Sequence, residues 1–316
     1  MLAILGITTP IFLLIGLGYI ARWSGIIQRD QMEGVGVFVL YCALPALVIR
    51  ALTQQPLEEV FKLNYLVAYA LGSIAVFGAG LLLCLKLQRQ PLNASAMQAL
   101  GMSAANSGFV GYPVAAMVIG SPAAVLLALN MLVENLLVLP AALILAEMGN
   151  HQGASVWKTV KQTALSLIKN PVLLGLLIGI CLAVSGINIP APLFKAIDML
   201  AEAAGPAALF VIGGALFGLQ VKGMASDVAQ IVIGKLLIHP LLIFIAFSFV
   251  PGIDPLYMAG ALLFAAAPMI SIYPLFGQRY GLGGVSAAAM LVATIASFFT
   301  LSLIIGLMSL LGLLTF

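Results

Sequence analysis

Polar and helix-breaking residues stand out in this 316-residue chain because 63% of it is hydrophobic and only 7% charged. Two short stretches hold most of the chemistry. Asn106-Ser107-Gly108-Phe109-Val110-Gly111-Tyr112-Pro113 and Pro268-Met269-Ile270-Ser271-Ile272-Tyr273-Pro274 each place helix breakers in the middle of an apolar run. Backbone groups freed by such a break are costly in hydrocarbon unless protein or a watered cavity covers them. A proline at the first turn of a new half-helix loses nothing, because its missing N–H has no intrahelical acceptor there, so Pro113 and Pro274 read as half-helix starts. Each start presents the positive end of a helix dipole. Two such ends facing each other form a site for a small anion. Its expected lining is Asn106, Ser107, Gly108, Gly111, Tyr112 and Pro113 from one stretch and Met269, Ser271, Tyr273 and Pro274 from the other. The competing reading is a pair of simple proline kinks.

Ionisable residues inside apolar runs are the second clue, since each needs a partner or a watered interior. Lys235 and His239 lie four apart, on one helix face, and Glu134 adjoins Asn135 four residues after Asn130. These five are the expected coupling group. Glu134 and Lys235 come from opposite halves of the chain and are expected to form an ion pair that titrates during transport, replaces a bound sodium ion, or simply fixes helix packing. His239 precedes Pro240 and could serve only to cap a kink. Arg50, near a span end, reads as a snorkelling structural residue. The only histidines are His151 and His239, and neither an HExxH metal motif nor a paired-aspartate motif occurs. An enzyme is therefore not expected, nor any cofactor beyond a coupling proton or sodium ion. A net charge of +3 gives no reason to expect nucleic acid as a partner. Cys42, Cys84 and Cys181 all fall in apolar runs and read as lone core thiols.

The elements that must position these residues follow from a mean hydropathy of +1.19, which requires a bilayer as solvent. A spanning helix needs roughly 20 apolar residues. Runs of that size occur at 3–21, 34–53, 65–85, 94–119, 122–146, 166–185, 203–220, 226–250, 256–278 and 284–312, predicting an all-α polytopic membrane protein with ten spans. The apolar start has no basic leader and reads as a retained helix rather than a signal peptide. Leu193, Phe194, Ile197 and Leu200 share a face opposite Lys195, Asp198 and Glu202, predicting an interfacial helix before span seven. Gly175 with Gly179 and Gly214 with Gly218 read as helix-packing pairs, and Trp157 as an interfacial anchor.

A constant offset of 161 residues aligns Pro10 with Pro171, Pro45 with Pro206 and Pro113 with Pro274, along with Gly18, Ser24, Gly25 and Ile26 on Gly179, Ser185, Gly186 and Ile187. Chance gives about 0.4 proline matches in such a test for internal symmetry. The halves, 1–147 and 166–316 around a loop at 148–165, are thus five-span repeats, and the odd number inverts the second relative to the first. Arg22, Arg29, Lys86, Arg89, Lys158, Lys161, Lys169, Lys222 and Arg279 fall on one side, against Arg50, Lys62 and Lys195 on the other. The positive-inside rule then puts both termini outside the cytoplasm. A carrier is the expected class, with a uniporter or channel as the alternative.

At Leu44-Pro45-Ala46-Leu47, Asn106 through Pro113, Val133-Glu134-Asn135-Leu136 and Lys169-Asn170-Pro171, the sequence resembles the bacterial members of the auxin efflux carrier family, over nearly its whole length. That family in turn resembles the bile acid and sodium symporter superfamily. The resemblance implies ten helices in two inverted repeats, with interrupted helices four and nine crossing. It also implies a scaffold of spans one, two, six and seven, which forms a homodimer surface, and a mobile part of spans three to five and eight to ten moving as an elevator. The substrate it implies is malonate or another small carboxylate, crossing a bacterial inner membrane. The long loop of plant members has no counterpart between Gly149 and Gln162, which argues against efflux of an auxin-like aromatic carboxylate. Ala267 stands where the repeat would place a second asparagine opposite Asn106.

Overall fold

The computed structural model describes residues 2–54, 62–149, 157, 161, 165, 168–185, 187, 189–218 and 225–314. Their long elements are helices: α1 (Leu2–Trp23), α2 (Arg29–Gln54), α3 (Leu63–Leu87), α4 (Leu92–Ser103), α5 (Ser107–Ile119), α6 (Pro122–Met148), α7 (Pro171–Ser185), α8 (Ala191–Leu216), α9 (Ala225–Phe249), α10 (Pro255–Ala266), α11 (Tyr273–Arg279) and α12 (Gly283–Leu310). Six of them, α2, α3, α6, α8, α9 and α12, are long and apolar enough to cross a membrane. The protein is an all-helical polytopic membrane protein.

Helix packing divides the chain into two groups. In the first, α1 lies along α8 and α7 along α2, with α2 also against α8. A Cβ at Gly18 would overlap the Phe210 carbonyl and one at Gly213 the Ile15 carbonyl, so α1 and α8 touch backbone to backbone. In the second, α3 packs on α4 and α9, α4 on α6, and α12 on α9 and α11. The groups meet where α5 lies against α8 and where α6 lies against α2 and α7.

Among the described residues five helices carry a π turn, at Val39–Ala43, Leu83–Leu87, Ser107–Gly111, Glu134–Val138 and Gly234–Ile238. All but the one at Leu83–Leu87 end two residues before a proline: Pro45, Pro113, Pro140 and Pro240. A helix-interior proline clashes with the carbonyl four residues back and offers no N–H to it. The wider turn supplies the room and shifts the hydrogen-bond register, so these prolines sit in continuous helices rather than at breaks.

Several expectations change. The runs at 94–119 and 256–278 are each two helices separated by extended backbone. The helix expected at 203–220 already begins at Ala191, so the residues read as a separate interfacial helix are its first turns, continuous through Pro206. Arg50 does not snorkel; it pairs with Asp198 at 2.8 Å, and Asp198 also holds Lys195 at 3.1 Å. Gly175 does pack closely, against Pro45, and Gly179 against Leu52, but Gly218 is a helix stop with φ +82° and open space around it. Cys84 is buried, whereas Cys42 and Cys181 are exposed. Apolar runs alone do not separate the bundle interior from a lipid-facing surface. Most of the loop expected at 148–165 lies outside the described residues, as do His151, Lys158 and Lys222.

Candidate substrate site at the paired helix breaks

Helix α4 ends at Ser103, where Ala104 turns extended (φ −93°, ψ 128°), and α10 ends at Ala266, where Ala267 does the same (φ −64°, ψ 152°). The two freed strands run antiparallel, bridged at Ala105 and Met269. Asn106 N–H donates to the Pro268 carbonyl at 2.8 Å and Ile270 N–H to the Ala104 carbonyl at 3.3 Å. The breaks thus satisfy part of each other's exposed backbone, as a buried interruption must.

The two half-helix starts are not equivalent. Pro274 is in the first turn of α11, as expected. Helix α5 instead starts at Ser107, capped by Asn106 Oδ1 accepting from Phe109 N–H at 3.3 Å, and Pro113 falls one turn inside it, after the π turn. The expectation for Pro113 was therefore wrong by one π turn. Asn106 does double duty, because its Nδ2 donates to Ser271 Oγ at 2.8 Å and so ties one break to the other. No described residue accepts from the N–H groups of Ser107, Gly108, Ser271 or Ile272. Four backbone donors at two helix starts are thus without a protein acceptor, and their residues border one region.

That region is a cavity of about 720 Å³, within the range of small-molecule sites. Asn106, Ser107, Gly108 and Phe109 line it from one break and Ile270, Ser271 and Ile272 from the other. Met131, Glu134 and Asn135 of α6 and Leu40 and Leu44 of α2 supply walls, and Lys169, Asn170, Phe276, Arg279 and Tyr280 line it as well. Arg279 is held by Glu147 at 3.2 Å, and Tyr280 donates to the same carboxylate oxygen at 3.0 Å. Among the described residues Lys169 makes no ion pair.

Glu134, the first residue of a π turn, reaches the break directly. Ser107 Oγ lies 3.0 Å from both of its carboxylate oxygens, and Ala105 N–H and Tyr69 Oη each donate to Oε1 at 3.2 Å. It does not form the expected ion pair with Lys235, which is more than 4.0 Å away. Lys235 is fully buried and donates to the Ala265 carbonyl at 2.6 Å, near the C-terminal end of α10, with His239 Nδ1 at 2.8 Å. A cation there complements the negative end of the α10 dipole. With Nδ1 accepting, His239 Nε2 carries the proton toward Ser73 Oγ at 3.4 Å, so His239 is part of the lysine's hydrogen bonding rather than only a kink cap.

Of the expected substrate residues, Asn106, Ser107, Gly108 and Ser271 line the cavity. Gly111, Tyr112, Pro113, Met269, Tyr273 and Pro274 do not. Gly111 is packed on Phe264, and the Tyr273 ring fills the space beside Gly101. Of the expected coupling group, Glu134 and Asn135 line the cavity, whereas Lys235 and His239 lie behind it. Asn135 Nδ2 is tied to the Met131 carbonyl at 2.8 Å. Asn130 is buried, accepting from Tyr65 Oη at 2.8 Å with its own Nδ2 unpaired. In the sequence Lys169 bears on topology and on the motif Lys169-Asn170-Pro171, Arg279 on topology alone and Tyr280 on neither; only Arg279 carries a local signal, as a basic residue five positions after Pro274.

The profile of a family described as membrane transport protein (Mem_trans) matches residues 4–305. A protein of Rhizobium meliloti (strain 1021) named "Putative malonate transporter" is 30% identical over 296 residues, covering 93% of this chain and 92% of that protein. "Uncharacterized transporter YfdV" of Escherichia coli (strain K12) is 25% identical over 241 residues, covering 75% of this chain and 76% of its own.

Proposed function

The chain belongs to the membrane transport protein family Mem_trans, the auxin efflux carrier family, and from that premise we propose that it is a secondary carrier of small carboxylates. In this reading the substrate carboxylate rests on the unpaired N–H groups of Ser107, Gly108, Ser271 and Ile272, with Asn106 fixing the distance between the two helix starts. The observation that carries the proposal is that these four N–H groups have no protein acceptor while their residues line one cavity. The name of the Rhizobium relative favours malonate within this class.

Alternating access in this proposal follows from ten spans arranged as two inverted five-helix repeats. The α1–α2–α7–α8 group is the static scaffold and carries a homodimer surface; the α3–α6 and α9–α12 group moves. Lys169 and Arg279 belong to the set that the positive-inside rule assigns to the cytoplasm, so the cavity they line is the cytoplasmic opening. Both termini are then periplasmic in a bacterial inner membrane.

The experiment is counterflow in proteoliposomes. Vesicles preloaded with unlabelled malonate should transiently accumulate labelled malonate, and uptake should saturate. Flux that rises linearly with concentration and shows no counterflow is the channel result and contradicts the proposal.

A further inference from the structure

Glu134 is a carboxylate already bound in what the proposed function makes a carboxylate site. It takes the Ala105 N–H and the Ser107 hydroxyl, at 3.0–3.2 Å, while the donors left for a substrate begin at the Ser107 N–H itself. Both the tethered and the incoming carboxylate draw on the start of the same half-helix, in a cavity that both line. Two carboxylates so close do not both stay ionised, and one keeps a proton.

We propose that Glu134 is the proton carrier of this transporter: it occupies the start of α5 as a carboxylate when the site is empty and must take up a proton before a substrate carboxylate can bind. This inference rests on the helix breaks being the substrate site.

Ser107 supplies the switch. Facing an ionised Glu134, its hydroxyl donates to the carboxylate. Facing a protonated Glu134 it accepts instead, and its own hydrogen turns toward the cavity, where the substrate carboxylate gains a donor. The proton enters through the water of the cavity, ends on a Glu134 oxygen, and leaves with the substrate on the other side. One proton therefore travels with each carboxylate, and the ionised, self-occupied carrier returns empty.

The neighbours of Glu134 do not replace this role. Tyr65 and Tyr69 face it from α3, and Tyr69 is only a donor to it. Lys235 on α9 is within electrostatic reach, yet its ammonium is engaged by the Ala265 carbonyl and His239. Of the ionisable groups that line the same cavity, Arg279 and Tyr280 are bound to Glu147, and Lys169 belongs to the other helix group.

The test is malonate binding to purified protein at pH 6, 7 and 8, with Glu134→Gln and Ser271→Asp measured beside the unaltered protein. The unaltered protein should weaken by up to about tenfold per pH unit as Glu134 ionises. Glu134→Gln, which stays neutral, should lose that dependence and bind at pH 8 more tightly than the unaltered protein. An unchanged pH slope in Glu134→Gln overturns the inference, and so does affinity that follows sodium concentration instead of pH. If Ser271→Asp retains malonate, the site reading fails; if it loses malonate while Glu134→Gln keeps the slope, only the proton role fails. Should Glu134→Gln not fold, a pH dye in weakly buffered solution at pH 8 reads the unaltered protein directly. About one proton taken up per malonate bound supports the role, and none overturns it.

Discussion

Asn106 Nδ2 and Ser271 Oγ lie 2.8 Å apart, one on each helix break, 165 residues apart in the chain. The same asparagine caps α5 through its Oδ1. A single side chain thus sets the start of one half-helix and its distance from the other, and the spacing of four unpaired N–H groups follows from it.

Removing this tie has a measurable cost. Asn106→Ala should weaken malonate binding by about 1–3 kcal/mol and also lower stability by about 1 kcal/mol through the lost cap. Ser271→Ala loses only the cross-break contact. Isothermal titration and thermal unfolding separate the two effects: Asn106→Ala moves both, Ser271→Ala chiefly the first.

Gly108 and Gly111, three residues apart, should respond in opposite ways. A side chain at Gly108 enters the cavity and touches only Leu44, whereas one at Gly111 collides with Phe264. Gly108→Leu should fold with normal gel-filtration behaviour and fail to transport. Gly111→Leu should lose about 1–3 kcal/mol of stability from overpacking and give low yield. Equal stability of the two variants contradicts the placement of the π turn.

Lys235 and His239 share one buried hydrogen-bonded unit, so their substitutions should not add. Lys235→Met leaves the Ala265 carbonyl and His239 Nδ1 unpaired, and His239→Ala removes one of the lysine's two partners. The double variant should melt close to Lys235→Met alone. Additive losses in thermal unfolding indicate that the two do not meet.

Much of this was legible in the residues. Breakers flanked by Asn, Gly and Ser marked both interruptions, because few sequences tolerate them in an apolar run, and Asn106 and Ser271 followed from their polarity at the break. What the sequence hid was phase. A π turn adds one residue to a turn and rotates everything after it by about 100°, and Tyr112 and Pro113, just after the one at Ser107–Gly111, lie off the cavity. Hydropathy does not register that rotation. The partner of Glu134 was hidden for a related reason: a helical period assigns it a face, not the element opposite, and the nearest donors were the hydroxyl and backbone of the break rather than the cation of Lys235. Arg50 and Asp198 were separately visible, but nothing local pairs residues 148 apart.

Orientation is a further expected outcome. A reporter fused after Phe316 should be active on the periplasmic face, as the distribution of basic residues requires. A cytoplasmic reporter signal contradicts the inverted arrangement and the assignment of the cavity mouth.

The central claim is that backbone donors at the two helix breaks bind a carboxylate, and an acidic side chain placed among them tests it most directly. Binding of malonate and of its opposite-charge counterpart, 1,3-diaminopropane, should be measured on folded Ser271→Asp beside the unaltered protein. Malonate affinity should disappear, because a fixed negative charge next to the Ser271 and Ile272 N–H groups repels the anion and occupies its donors. Unchanged malonate affinity in Ser271→Asp contradicts the account.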